Sequence, residues 1–124
     1  MKSNKSRTYR IGHFAEIIAA AYLILKGHKI IKRRYKSPVG EIDLLTIKNK
    51  TLIATEVKFR RTQKYNNKSP EYIFETIHIK NRQRITRALE HFIAHNPRYH
   101  NYNLRFDAIA IGWPPAIRHL DNAW

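Results

Sequence analysis

The stretch Gly40–Lys58, GEIDLLTIKNKTLIATEVK, predicts a β-hairpin. Both of its halves are rich in the Ile, Leu and Thr residues that strands favour. The two predicted strands are Glu41–Lys48 and Thr51–Lys58. Asn49 and Lys50 lie between them as a two-residue turn, because Asn tolerates the positive φ that such a turn needs, although Lys tolerates it less well. Lys48 then pairs with Thr51 across the turn.

Counting back from this turn brings acidic residues together. The register places Asp43 opposite Glu56 and Glu41 opposite Lys58, and because side chains alternate along a strand, all four fall on one face. The same face carries Leu45, Ile47, Leu52 and Ala54 nearer the turn. A bulge of one residue would undo this register.

Two carboxylates that face each other directly across a hairpin repel. A divalent cation between Asp43 and Glu56 would relieve that repulsion, since hard cations such as Mg²⁺ take carboxylate oxygens. Lys58 would stand beside the cation, and this combination suits metal-assisted attack of water on a phosphodiester. The alternative is an exposed sheet face with scattered charges, and spacing alone leaves it open.

Composition limits the class of protein. A chain of 124 residues is most simply one domain, and it lacks cysteine, which excludes disulfides and thiolate metal sites and fits a reducing cytoplasm. The formal net charge is +15, with 24 Lys and Arg against 9 Asp and Glu. Such a charge attracts polyanions, of which nucleic acid is the commonest, while an anionic membrane or the ribosome competes as an explanation.

The segment before the hairpin predicts a basic arm and a helix. Residues 1–10 carry four basic residues and no acid, so we expect a flexible basic arm followed by a single domain over residues 11–124. Ile11–Lys26 has apolar residues at helical spacing and ends at Gly27. Its apolar run is too short to span a membrane, and Glu16 inside the run argues against a signal peptide. Glu16 is either paired with a nearby Arg or belongs to the acidic site.

The segments on either side of the hairpin predict a strand, a loop and a short helical turn. His28–Tyr35 predicts the first strand, and Phe59–Lys68 predicts a long loop whose Arg60, Arg61 and Lys64 suit backbone phosphates, with a plain solvated loop as the alternative. Pro70–Glu75 predicts a short helical turn.

Ile77–His95 predicts a second helix with a buried apolar stripe and a parallel cationic stripe. The cationic stripe consists of Lys80, Arg84, Arg87, His91 and His95. We expect its Lys and Arg members to bind nucleic acid. A metal site at His91 and His95 is disfavoured because no third ligand is evident.

Two further strands follow this helix. Leu104–Ile111 and Ile117–Trp124 predict them, and Asp107 in the former reads chiefly as the partner of an Arg. The element order is therefore α-β-β-β-α-β-β, an α/β fold with a mixed β-sheet flanked by helices.

The motifs, in their order along the chain, resemble those of known protein families. Gly40 to Leu45, followed by Glu56-Val57-Lys58, resembles the D…(D/E)xK signature of the PD-(D/E)xK nuclease superfamily. The whole set is more similar to the YraN-like family of small bacterial proteins, which resembles the archaeal Holliday-junction resolvases. The further matching segments are Gly12 to Glu16 with Ala19-Ala20, Ile77 to His95, and Arg105-Phe106-Asp107. ExK alone is a weak motif, whereas the ordered set is specific and covers nearly the whole chain.

The resemblance implies a restriction-endonuclease-like core with the acidic site at one sheet edge, and a Mg²⁺-dependent endonuclease that could also use Mn²⁺. Asp43, Glu56 and the Val57 carbonyl would hold the ion, Glu16 would join this acidic group, and Lys58 would act on the water and the phosphate. DNA is favoured over RNA as partner, in the cytoplasm and without a membrane, and a homodimer is expected by analogy. The alternative is a non-catalytic nucleic-acid binding module on a nuclease fold, against which the intact Asp43, Glu56 and Lys58 argue.

Overall fold

The computed structural model describes residues 2–61, 79–113 and 116–124, with side chains described for residues 10–59, 81–112 and 116–124. Within these ranges the chain forms two long helices and five strands. They are α1 (Lys2–Leu25), β1 (Lys29–Ser37), β2 (Gly40–Lys48), β3 (Thr51–Arg61), α2 (Ile79–His95), a 3₁₀ turn (Pro97–Tyr99), β4 (Asn103–Trp113) and β5 (Ala116–Leu120). This order confirms the predicted α/β class and is consistent with a restriction-endonuclease-like core.

The hairpin turn forms at the predicted residues. Asn49 and Lys50 have φ of 51° and 58°, the left-handed values that a tight two-residue turn requires. Lys48 pairs with Thr51, and the antiparallel ladder continues from there between β2 and β3. The turn residues therefore set the register of the hairpin, as predicted.

The sheet has the strand order β1-β2-β3-β4-β5. Three of its pairings are antiparallel, whereas β3 and β4 run parallel, from Thr51–Asn103 to Arg61–Trp113. A parallel pair needs a long crossover connection, and α2 lies within it. The strand that carries Glu56 and Lys58 is therefore the central strand of the sheet.

Each helix covers one face of this sheet. On the α1 side, buried side chains of the helix pack against β2 and β4; they are Ala15, Ala19, Ala20, Leu23, Leu44, Ile109 and Ile111. On the α2 side the core consists of Ile42, Leu45, Leu52, Ala54, Ile85, Ala88, Leu89, Phe92 and Tyr99. With both faces covered, polar groups inside the sheet are buried and need partners.

The alternation of side chains breaks once, near the start of β2. Ile42 and Leu45 both pack in the α2-side core, although Leu44 packs on the α1 side. The neighbouring strand is irregular at the same level, because Arg34 has φ of 54° and the β1–β2 register omits Arg34 and Asp43. An irregularity of this kind re-aims a side chain and ends regular pairing.

This irregularity corrects the predicted arrangement of charges. The ladder between β2 and β3 ends at Leu44–Thr55. The two predicted pairs beyond this point, which the register does not contain, are Asp43–Glu56 and Glu41–Lys58. The two carboxylates therefore share a cavity beyond the end of the β2–β3 ladder, inside the sheet, and do not face each other in a continuous ladder at a sheet edge.

Several element boundaries also differ from prediction. Helix α1 begins at Lys2, so the segment expected as a flexible arm continues the helix; neither Pro nor Gly interrupts it before Gly12. Phe59 and the two residues after it extend β3 instead of starting a loop, because β4 continues beside them. The last strand ends at Leu120. The rest of the predicted loop and the predicted turn over 70–75 lie outside the described residues.

Candidate active site

The candidate site lies where β2 and β3 part. Beyond Leu44–Thr55, the Val57 backbone N–H points toward β2 and donates to Asp43 Oδ2 at 2.8 Å. The N–H and C=O of one residue in an extended strand project toward the same neighbour, so the Val57 carbonyl faces the same gap. Asp43 and the Val57 backbone are thus brought together by the loss of one strand pair.

Glu56 and Lys58 flank Val57 on β3 and lie close to each other. Lys58 Nζ is 3.1 Å from Glu56 Oε1, and only 10% of the Glu56 side chain is exposed. Asn81, near the start of α2, donates a long hydrogen bond of 3.5 Å to the same oxygen. The central strand and α2 therefore hold a nearly buried carboxylate beside one ammonium group.

The surroundings of Asp43 disfavour its ionised form, because it is partly buried and Glu56 already places a negative charge nearby. Burial, and then the charge of Glu56, raise the pKa of the Asp43 carboxyl above its usual range, and Glu16 adds to this effect. The Val57 N–H and the charge of Lys58 lower the pKa but do not offset the increase. Without a cation the Asp43 carboxyl therefore favours its protonated form, whereas a cation bound beside it would favour the ionised form.

Glu16 joins the site from α1 through an ion pair. Arg34 Nε lies 2.6 Å from Glu16 Oε1, which is the Arg-paired alternative for this acid. Arg34 adopts a left-handed backbone conformation within a strand, a strain of roughly 1–3 kcal/mol that tends to occur at functional sites. Glu16, Arg34, Lys36, Glu41 and Asp43 line a cavity of about 190 Å³.

A second, smaller cavity adjoins the first and shares two of its residues. It measures about 90 Å³ and is lined by Glu41, Asp43, Glu56, Asn81 and Arg84. Among the described residues, no three side chains of His, Cys, Asp or Glu are placed to hold a metal ion together. Mg²⁺ usually binds through one or two carboxylates and keeps several waters, so the pair of carboxylates with the Val57 carbonyl fits this ion. The predicted role of Glu16 as a ligand stays a prediction.

The structure describes the side chains of only some of the residues that were predicted to bind nucleic acid. Arg84 and Arg87 are exposed on α2, and Arg84 reaches the smaller acidic cavity. Lys80 belongs to α2, and Arg60 and Arg61 end β3, but their side chains lie outside the described residues, as does the whole of Lys64.

The histidines of the cationic stripe make local contacts. The rings of His91 and His95 stack at 4.2 Å, Tyr35 Oη lies 2.7 Å from His91 Nδ1, and His95 Nδ1 donates to the His91 carbonyl. These contacts give no support to a metal site at the two histidines.

Gly40 has a packing role. A Cβ at this position would lie 2.0 Å from the Arg84 carbonyl oxygen. The absence of a side chain at Gly40 therefore admits the backbone of α2. This close approach brings Asn81 and Arg84 over the acidic residues.

Asp107 serves the structure, as the ion-pair interpretation predicted. It is fully buried and accepts hydrogen bonds from Arg105 Nε and Nη2 at 2.8 and 2.9 Å, from His119 Nε2 at 2.8 Å and from the Asn122 N–H at 3.0 Å. Burial raises the pKa of Asp107, but these hydrogen bonds prevail and lower it to about 2. The carboxylate is therefore ionised and committed to β4 and β5.

Sequence reasoning missed two residues of the site. Asn81 carried no signal beyond its place beside Lys80. Arg34 was one of several cations on β1, and the expectation of an Arg partner for Glu16 could have pointed to this strand. Which cation it is depends on the irregular backbone of β1, which the sequence pattern does not reveal.

Comparison with known proteins places the chain in a family. Residues 15–111 match the sequence model of the uncharacterised protein family UPF0102. A UPF0102 protein of Caulobacter vibrioides is 37% identical over 125 residues, which covers 99% of this chain and 93% of the relative. Similar proteins of Ehrlichia ruminantium and Mesorhizobium japonicum are 34% and 33% identical, over 92% and 98% of this chain and 83% and 92% of theirs. Within the described residues, no helix is long and apolar enough to cross a membrane. The chain belongs to the uncharacterised family UPF0102, the YraN-like family that its ordered motifs resemble.

Proposed function

We propose that this protein is a metal-dependent endonuclease that hydrolyses phosphodiester bonds in DNA, including branched DNA. The observation that carries the proposal is the hydrogen bond from the Val57 N–H to Asp43. It replaces a strand pair and gathers Asp43, Glu56 and Lys58 around one gap. Two carboxylates and one ammonium beside small polar cavities suit metal-assisted hydrolysis of a phosphodiester.

Asp43, Glu56 and the Val57 carbonyl would hold a Mg²⁺ or Mn²⁺ ion. Such an ion supplies stabilisation of charge on the phosphate and makes a water molecule a better nucleophile at neutral pH. The chain's own contribution begins with orientation: the Val57 N–H fixes Asp43, and Asn81 contacts Glu56 from α2. Both carboxylates are therefore held before substrate arrives, which lowers the cost of reorganisation.

Lys58 supplies the positive charge that the reaction needs. Its Nζ is held 3.1 Å from Glu56 and the side chain is 27% exposed, so it can reach a bound phosphate. From this position its N–H groups orient the attacking water and stabilise the negative charge that develops on the phosphate. Arg84, exposed at the rim of the smaller cavity, is placed to bind an adjacent phosphate of the strand.

Cleavage of a panel of labelled nucleic acids tests the proposal. The panel contains four-way junctions, flaps, duplex DNA, single-stranded DNA and matched RNA, each incubated with Mg²⁺, Mn²⁺ or EDTA. We expect cleavage of DNA with either metal and none with EDTA. A protein that binds these substrates but cuts none of them is a nucleic-acid binding module, the alternative function.

Substitution of Lys58 separates the enzyme from the binding module. Lys58→Ala should bind DNA within a few-fold of the wild type, since one cation among 24 Lys and Arg contributes little to affinity. It should cut DNA at least about 10²-fold more slowly, the scale expected for loss of one acid–base group. Lys32→Ala, which removes an exposed lysine from β1, is the matched control and should cut at the wild-type rate.

The assay is single-turnover cleavage at saturating protein, with affinity measured separately in Ca²⁺. If Lys58→Ala and Lys32→Ala have equal rates at saturation, Lys58 has no part in the chemical step.

A further inference from the structure

A cavity of about 370 Å³ lies near the hairpin turn, away from the acidic residues. We call it the basic cavity. The residues that line it include Tyr22, Lys26, His28, Lys48, Arg105 and His119. Lys48 lies five residues from Asp43 along β2, a separation of roughly 17 Å at the rise of an extended strand. It is therefore a second site, built from the end of α1, the hairpin turn, β4 and β5.

Uncompensated positive charge gathers in the basic cavity. Within the described part of the chain, neither Lys26 nor Lys48 forms an ion pair with a carboxylate. Arg105 directs Nε and Nη2 to Asp107, and Asp121 is the acid on the cavity wall. Because Asp107 neutralises Arg105, two lysines face one further carboxylate, and the walls keep a net positive charge that favours an anion.

The histidine and tyrosine side chains agree with this charge. Burial and then the charge of Lys48 lower the pKa of His28 to about 4, so its imidazole is neutral at pH 7 and adds no charge of its own. Burial, Asp121 and Asp107 raise the pKa of Tyr22, so its hydroxyl stays protonated and can hydrogen bond. Tyr22 Oη lies 3.1 Å from His119 Nδ1, and His119 is fixed in turn by Asp107. The cavity thus combines two lysines with the neutral side chains of His28 and Tyr22.

We propose that the basic cavity binds the phosphate group of a phosphomonoester, with Lys26 and Lys48 as its charged contacts. A dianion with several acceptor oxygens matches two ammonium groups better than a carboxylate does. The volume falls at the lower end of the range for small-ligand sites, roughly 300–1,000 Å³. The phosphate belongs either to a small molecule, such as a mononucleotide, or to the 5′ end of a nucleic-acid strand. Binding of phosphate in the basic cavity does not require that the protein cleave DNA.

Titration with inorganic phosphate, followed by backbone amide NMR, tests the site. EDTA is present so that the acidic site binds no metal, and NaCl is adjusted to hold ionic strength constant. We expect saturable shifts confined to the amides around Asn49, Thr51 and His119. Lys48→Gln and the exposed Lys26→Gln should each weaken binding roughly tenfold, the scale for loss of one charge-assisted hydrogen bond. Lys32→Gln, with the same loss of charge on β1, should bind as the wild type does.

Two oligonucleotides distinguish the source of the phosphate. If a 5′-phosphorylated strand binds more tightly than its 5′-hydroxyl counterpart, and Lys48→Gln removes the difference, the cavity holds a strand end. If the two strands bind alike while phosphate and a mononucleotide saturate the site, the ligand is a small molecule. Shifts spread over the surface, or equal losses in Lys32→Gln and Lys48→Gln, would overturn the proposal. Wild-type DNA cleavage is measured in parallel, so that failure of the nuclease proposal is distinguished from failure of the phosphate site.

Discussion

At Asp43, a half-buried carboxylate takes the position that a strand partner of Val57 would otherwise occupy. The exchange satisfies the Val57 N–H, but it places Asp43 near Glu56 in a poorly solvated gap. Natural proteins retain such repulsion where a cation or a reaction depends on it. The single residue therefore links the broken strand pairing to the proposed chemistry.

Asp43→Asn should uncouple stability from Mg²⁺. The amide oxygen can still accept the Val57 N–H, while the charge that repels Glu56 is removed, so the variant without metal should be at least as stable as the wild type. Mg²⁺ at 100 times its Kd would stabilise the wild type by about 2.7 kcal/mol and the variant by much less. Thermal melts with and without Mg²⁺ measure the difference.

The control for this measurement is Asp121→Asn, which removes an exposed carboxylate far from the gap. It should respond to Mg²⁺ as the wild type does. Equal stabilisation of the wild type and Asp43→Asn would show that Asp43 is no metal ligand.

The sequence predicted that Asp43, Glu56 and Lys58 lie close together, but it did not predict their contacts. Asp43, Glu56 and Lys58 could be read from spacing because the turn at Asn49 and Lys50 sets the register. The contact between Asp43 and Val57 depends on an irregular backbone, with Arg34 at positive φ, that leaves no trace in the pattern of apolar residues. Side-chain pairs beyond an irregularity can be predicted only once its position is known.

At the scale of elements, the close approach of α2 to β2 at Gly40 accompanies the smaller cavity, which residues of both elements line. Gly40 lets the Arg84 carbonyl come closer than any side chain would allow. Asn81 and Arg84 are carried over the carboxylates by this packing. The start of β2 and the first turns of α2 therefore act as one structural unit.

Gly40→Ala should destabilise the protein and displace α2. Its Cβ would lie 2.0 Å from a backbone oxygen, which cannot rotate away, so the helix must move. Overpacking of this kind costs about 1–3 kcal/mol. Urea unfolding measures the loss of stability, and amide shifts of α2 report its displacement.

Gly12→Ala provides the matched comparison, because nothing lies within 4 Å of a Cβ at that helical position. It should be neutral or stabilising by up to about 1 kcal/mol, the gain in helix propensity. A Gly40→Ala variant as stable as Gly12→Ala would contradict the close packing described here.

Elements were predicted well where local patterns dominate and less well where tertiary contacts extend them. The apolar periodicity of α2 and the turn residues of the hairpin are local signals, and both were confirmed. The basic residues after Phe59 predict a loop, yet pairing with β4 extends the strand through them. Pairing with a strand that is distant in sequence can override the local propensity of a segment.

At the scale of the whole molecule, Asp107 ties the second half of the sheet to α1. It binds Arg105 on its own strand and His119 on β5, and His119 contacts Tyr22 of α1. The network crosses elements that are far apart in sequence. Loss of this network should therefore lower the free energy of unfolding of the whole protein.

Acid should weaken this network within a defined range of pH. The pKa of Asp107 is lowered from 3.8 to about 2 in the folded protein, so its contribution is fully present above pH 3.8 and is lost as the pH falls toward 2. A shift of this size corresponds to roughly 2 kcal/mol. The difference in unfolding free energy between the wild type and Asp107→Asn should shrink by that amount between pH 5 and pH 2, in urea titrations at each pH. A difference that stays constant with pH would mean that Asp107 is not held in its ionised form.

The net charge of +15 makes a final prediction about the partner. Each phosphate that a Lys or Arg contacts releases counterions, so affinity for DNA should fall steeply as salt rises. Six contacts, supplied by the exposed Arg84 and Arg87 and by other cations of the chain, would lower affinity roughly 10³-fold between 50 and 200 mM salt. Fluorescence anisotropy with a labelled duplex, in Ca²⁺ to prevent cleavage, gives the slope of log affinity against log salt. Arg84→Ala with Arg87→Ala should reduce that slope by about two contacts, whereas Lys32→Ala should leave it unchanged. A wild-type slope near zero would exclude nucleic acid as the polyanion that the positive surface attracts.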